Sequence, residues 1–213
     1  MDKLLGNISY VAWTGIALGL LFLIFVATGA LGYGFDEPGF REALLRWLHV
    51  LSGIMWIGHL YYFNFTQIPN APKIAEEHRG PAIGKVIAPA ALFWFRWGAV
   101  ATLVTGLLLA WTRGYIWSAL TLDAFNPAGA FADAWTVFIG VGMWLAIIMF
   151  INVWAIIWPN QQRALNINNK YPNLDAAAKA AAAKTAMLFS RTNTLLSVPM
   201  LVAMTSAQTL VPH

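Results

Sequence analysis

The apolar positions of this chain gather into five long blocks, at residues 10–32, 44–65, 92–111, 135–158 and 187–211. Polar, proline-containing connections separate them. Each block approaches the roughly 20 apolar residues that a helix needs to cross a bilayer. Backbone in hydrocarbon must satisfy its own hydrogen bonds, which leaves helices or closed barrels. The blocks are continuously apolar and lack the alternation of barrel strands. The pattern therefore predicts an all-α polytopic transmembrane bundle of about five spans, with residues 1–213 forming one transmembrane domain. Gly53 and Gly58 in the second block and Gly106 in the third leave room for close helix contact.

Composition agrees. The chain is 59% hydrophobic and 10% charged, whereas soluble domains average about 25% charged residues. So few charges exclude an ordinary soluble globule. The first block is longer than the roughly 7–15 apolar residues of a signal peptide and reads as the first span. The formal charge of +4 comes from residues scattered through the connections, with no basic stripe, so no nucleic-acid partner is expected. Cysteine is absent, which excludes disulfides, thiolate catalysis, iron–sulfur ligation and covalent c-type haem.

The basic residues predict orientation. Ten of them (Lys3, Lys73, Arg79, Lys85, Arg96, Arg163, Lys170, Lys179, Lys184 and Arg191) fall on one side, and Arg41, Arg46 and Arg113 on the other. The richer side is cytoplasmic by the positive-inside rule, giving an N-in, C-out arrangement in a bacterial inner membrane. Trp13, Trp47, Trp111, Trp117, Trp135 and Trp158 lie near block ends, as in an aromatic belt. The connection 67–89 holds four prolines and is expected to be irregular, apart from a helical turn near 74–78. The connection 114–134, with Asn126-Pro127, is expected to be an outer loop. After Pro172 the alanine-rich run predicts one long helix leading into the fifth span, with Asn173 as its N-cap.

Two histidines, His49 and His59, lie inside the second block, where an ionisable group is a functional-site hypothesis. Ten residues of helix place them about 15 Å apart along the axis and about 80° apart around it, too far to share one metal ion. Each is a candidate axial ligand for b-type haem, and Gly53 beside His49 would admit a macrocycle. The alternative is that each hydrogen-bonds a neighbouring helix. His78 and His213 are candidate second ligands, and a methionine or a five-coordinate iron is equally open. Polar residues also converge at the cytoplasmic ends: Asn64, Gln67, Arg96, Asn152, Asn160, Gln161, Arg191, Thr192 and Asn193. Arg96 and Arg191 there suit haem propionates, a quinone carbonyl or an anionic substrate, or snorkel to lipid phosphate. No acidic residue lies deep in a block, which argues against an ordinary proton- or cation-coupled transporter.

The stretch Leu48-His49-Val50-Leu51-Ser52-Gly53-Ile54-Met55-Trp56-Ile57-Gly58, followed by Leu60-Tyr61-Tyr62-Phe63-Asn64-Phe65, resembles the membrane domain of bacterial urate hydroxylase, the urate oxidase N-terminal family. Trp94-Phe95-Arg96-Trp97-Gly98-Ala99, Asn152 to Gln161, and Ser190-Arg191-Thr192-Asn193-Thr194 extend the resemblance over four blocks. The His-x-x-x-Gly-x-x-Trp segment also resembles HemJ-type protoporphyrinogen oxidases, small haem-containing helical proteins, and that resemblance maps His49 as a haem ligand. The cytochrome c module of the named urate enzyme has no counterpart in these cysteine-free residues. Three function classes follow: a b-haem redox protein passing electrons between membrane partners, a haem-free accessory subunit of a larger membrane complex, and an oxidase of a small heteroaromatic substrate such as urate. The partners these imply are the lipid bilayer, a larger complex, a quinone or a cytochrome c.

Overall fold

The computed structural model describes residues 5–30, 37–207 and 209, so Lys3, the end of the expected first span and His213 lie outside the described residues. The described residues are mostly helical, with no strand among them. The principal helices are α1 (Ile8–Phe25), α2 (Pro38–Tyr61), α3 (Ala88–Thr112), α4 (Ile116–Leu120), α5 (Ala134–Ile151), α6 (Trp158–Leu165) and α7 (Ala176–Ser206). Four continuous helical stretches are long and apolar enough to cross a membrane: Ile8–Thr28, Pro38–Lys73, Glu76–Thr112 and Ala134–Leu165. By that measure the chain is a membrane protein.

Contacts divide the chain into two compact units, Met1–Trp47 and Leu48–His213, with the division falling inside α2. In the first unit the Asn7 side chain caps α1 by accepting from the Ser9 backbone N–H at 2.9 Å. Gly19 accommodates the Trp47 indole, since a Cβ there would lie 3.1 Å from Trp47 Cζ2.

In the second unit α3, α5 and α7 pack with the C-terminal part of α2 around Trp56, Leu60, Phe95, Met149, Val153 and Ile157. Phe63 and Phe95 meet edge to face at 5.7 Å. A second cluster, around Ala110, Ala119, Trp135, Ile139 and Met143, seats α4 against α5. Gly140 permits this approach, because a Cβ there would collide with the Ala119 carbonyl oxygen.

The prolines do not break the helices as expected. The helix widens into a π-turn at Tyr62–Gln67, Gly80–Ile87 and Asn152–Ile157. Each such turn ends two residues before a proline: Pro69, Pro89 and Pro159. A proline ring presses on the carbonyl four residues earlier. One extra residue in the preceding turn moves that carbonyl aside, and the chain stays helical. The expected irregular connection 67–89 is therefore mostly helical, broken at Ile74 and Ala75.

The 31-residue α7 runs from the alanine-rich segment into the last apolar block as predicted, with Pro199 inside it. Its N-cap is Asp175, which accepts from the Ala178 N–H at 2.7 Å, not Asn173. The carboxylate also suits the positive helix end better than an amide does. This helix is not among the four apolar enough to cross by composition. Its polar residues Ser190, Asn193 and Ser197 are buried, while Leu188, Leu195, Val198 and Val202 are exposed.

The expected outer loop is ordered around Asp123, a buried carboxylate. Its Oδ2 accepts from Asn126 Nδ2 at 2.9 Å and from the Asp133 N–H at 2.8 Å. Asp133 in turn caps α5 through the Trp135 N–H.

Candidate functional site

Helix rotation decides what each histidine can do. His49 faces α3. Its Nδ1 lies 2.9 Å from the Thr102 carbonyl oxygen and 3.3 Å from Thr105 Oγ1. With a carbonyl acceptor at that distance, Nδ1 carries the proton and donates. The ring rests against Gly106, where a Cβ would lie 2.8 Å from His49 Cε1. Gly53, expected to leave space for a macrocycle, faces the methyl group of Thr102, 4.0 Å from a Cβ built there. Thr102 itself is buried, its hydroxyl donating to the Gly98 carbonyl. The helix pair α2–α3 is thus in close contact at His49, with Thr102 facing Gly53.

His59 is placed differently. It lines a shallow apolar cleft, open to the outside, with Met55, Gly58, Tyr62 and the exposed side chains of Ile54, Val86 and Trp94. His59 Nδ1 donates to the Met55 carbonyl one turn earlier, at 2.7 Å. That bond leaves Nε2 as the nitrogen with a lone pair. Gly58 beside it faces open space. The imidazole, the gap beside Gly58 and the apolar side chains are the features of this face that a flat hydrophobic ligand could use. His78 is exposed and pairs with Glu77 at 3.3 Å. Among the described residues no group of three or more His, Cys, Asp or Glu could hold a metal ion.

The polar residues at the other helix ends form two separate arrangements. The first is a seam along α7. Asn64 Nδ2 donates to Ser190 Oγ at 2.8 Å, Asn152 Nδ2 to Asn193 Oδ1 at 2.9 Å, and Asn193 Nδ2 to the Met149 carbonyl at 2.9 Å. Tyr61 and Ser197 share a hydroxyl bond at 2.9 Å. Asn64 and Asn152 both sit in π-turns, so the widened turns of two helices meet one polar face of α7. Interhelical bonds of this kind average about 0.6 kcal/mol in a bilayer, and their worth here is as much in fixing register.

The second arrangement is centred on Arg96. The side chain is buried, and its Nε donates to the Leu92 carbonyl at 3.1 Å. The guanidinium carbon lies 3.1 Å above the Trp158 ring and 5.8 Å from the centre of the Trp154 ring. No described carboxylate lies within ion-pair distance of it. A desolvated cation–π contact contributes about 2 kcal/mol, against a desolvation penalty of several kcal/mol for a buried charge. Trp154 Nε1 is buried without a hydrogen-bond partner. Arg191 and Thr192 face outward and are exposed, so the two arginines do not share a site. Asn160 turns back to the Ile156 carbonyl at 2.8 Å.

No family model, curated protein or solved structure matches this chain. The site residues named from sequence therefore rest on geometry, which separates them into three places: His49 with Gly53 and Gly106, the His59 cleft, and Arg96 on Trp158. Sequence reasoning assigned Trp158 to the aromatic belt and passed over Trp154. Their spacing of four residues places both on one helix face, which is the signal that marks them as a pair.

Proposed function

We propose that this chain is a five-span, N-in/C-out protein of a bacterial inner membrane that holds one b-type haem in the His59 cleft and passes electrons to or from a membrane partner. The observation that carries the reading is the His59 imidazole, whose Nδ1 is held by the Met55 carbonyl so that Nε2 keeps its lone pair beside an apolar cleft. A haem there would supply one-electron chemistry. The chain's own part is to fix the imidazole tautomer through Met55 and to offer the apolar side chains of Ile54, Val86 and Trp94 as one wall. The resemblance to the urate oxidase N-terminal family and to HemJ-type proteins favours a haem protein of this class, with the ligand at His59 in place of His49.

The fifth span is α7. Its mean hydropathy is lowered in part by Ser190, Asn193 and Ser197, which the fold buries; Arg191 and Thr192 are exposed near the start of the apolar block, and beyond them the outward face is carried by Leu195, Val198 and Val202. Lipid meets the exposed face of a helix, so that face, more than the average, sets whether it can cross.

The test is the absorption spectrum of the purified full chain in detergent. A Soret band that disappears in His59→Ala and persists in His49→Ala is the expected result. A wild-type protein with no Soret band, after expression with haem precursor, favours the accessory-subunit reading. Loss of the band in His49→Ala alone returns the ligand to the position mapped by resemblance. Urate turnover by the haem-loaded protein would move the assignment to a substrate oxidase.

A further inference from the structure

We propose that Arg96, stacked on Trp158 with Trp154 beside it, is a binding site for one phosphate-type oxyanion. A guanidinium carries five N–H donors. One of them, on Nε, is used by the Leu92 carbonyl. The two terminal nitrogens have no hydrogen-bond partner among the described residues. Stacking on Trp158 fixes the plane of the group without consuming any donor, so the paired N–H edge stays available. That edge matches two oxygens of a phosphate. The Trp154 ring lies 5.8 Å from the guanidinium carbon, and its Nε1 is buried without a partner, which makes it the candidate third donor. The neighbourhood supplies positive charge and N–H donors and no described counter-charge, which is the requirement of an anion. Nε reaches back toward Leu92, one turn closer to the N-terminal end of α3, so the charge is drawn toward the end of the helix.

This site is separate from the His59 cleft. Trp94 lines the cleft, and Arg96 lies two residues on, about 200° around α3. Its fate is independent of the haem proposal. A lipid headgroup and free inorganic phosphate offer the same chemistry, and the experiment separates them.

Purified full-length protein in detergent is titrated with phosphatidylglycerol and, separately, with inorganic phosphate, and bound copies are counted by native mass spectrometry. One copy of one of these probes is expected to bind the wild type. Arg96→Gln should lose about tenfold in affinity, the size of one charge-assisted contact. Arg96→Lys should recover part of it, because the charge remains and the fork is lost. Trp154→Phe keeps the ring and removes only the N–H, and should weaken binding several-fold. If phosphate displaces phosphatidylglycerol, or binds where the lipid does not, the ligand is a soluble oxyanion; if only phosphatidylglycerol binds, it is a headgroup. Should Arg96→Gln fail to fold, Arg96→Lys and Trp154→Phe decide the question. Wild-type binding of both probes in those variants, or no binding of either probe to the wild type, would show that Trp158 alone satisfies Arg96 and would overturn the site.

Discussion

Gly106 on α3 is the seat of His49 on α2: a Cβ at Gly106 would lie 2.8 Å from His49 Cε1 and 3.1 Å from Nδ1. The ring cannot simply swing away, because Nδ1 is held by the Thr102 carbonyl at 2.9 Å. Gly106→Ala should therefore lower stability by about 1–3 kcal/mol, the usual cost of overpacking. Thermal unfolding in detergent measures it. The Soret band proposed at His59 should stay unchanged in this variant; a shifted band would place the haem at His49.

The buried pair Asn152 and Asn193 joins two helices through a bond of 2.9 Å, and Asn193 also holds the Met149 carbonyl. Replacing Asn193 by Ala leaves the buried Asn152 amide donor unmet and takes one of its bonds from the Met149 carbonyl, at about 1–3 kcal/mol. In a double-mutant cycle with Asn152→Ala the two changes should be non-additive by roughly 0.5–2 kcal/mol. Additive losses, read from denaturant unfolding, would remove the pair as an energetic unit.

Asp123 keeps an otherwise unfavourable loop in place. The backbone has positive φ at Leu122 (52°), Asp123 (61°) and Phe131 (61°), a conformation that non-glycine residues rarely adopt. Asp123→Ala removes the acceptor for Asn126 and for the Asp133 N–H. Limited proteolysis within residues 121–133 should speed up markedly, while the helical far-ultraviolet signal of the spans is retained. Unchanged cleavage would show that the turn geometry does not depend on the carboxylate.

Orientation is read with reporter fusions. The ten-to-three division of basic residues predicts an active alkaline phosphatase fused after His213 and an inactive one fused at Lys170. Activity at both positions would mean that α7 does not cross. The inverted pattern would reverse the assignment of sides.

Much of the helical layout is legible along the chain, because it depends on neighbours in sequence. Continuous apolar runs specify four helices long enough to cross a membrane. The alanine-rich run leading to Met187 specifies the long α7. Proline marks three of the widened turns, though not the one at Val26–Ala30, and the π-turn that keeps the helix continuous depends on how the backbone makes room for the ring. The cap at Asp175 was displaced by two residues from the expected Asn173, a matter of one local hydrogen bond.

What the sequence by itself determined is thus helical content, the apolar stretches and the scarcity of ionisable groups within them. Only the tertiary structure decided what those groups meet. His49 and His59 share one helix about 80° apart, yet one is closed against Thr102 and Gly106 while the other lines an open cleft. Arg96 and Arg191 read alike as basic residues near span ends, yet one is buried on Trp158 and the other is exposed. The physical reason is the same in each case. Hydrophobic periodicity places a residue on a helix, whereas its partner is set by the rotation of that helix against its neighbours, and that rotation is fixed by contacts between residues distant in sequence.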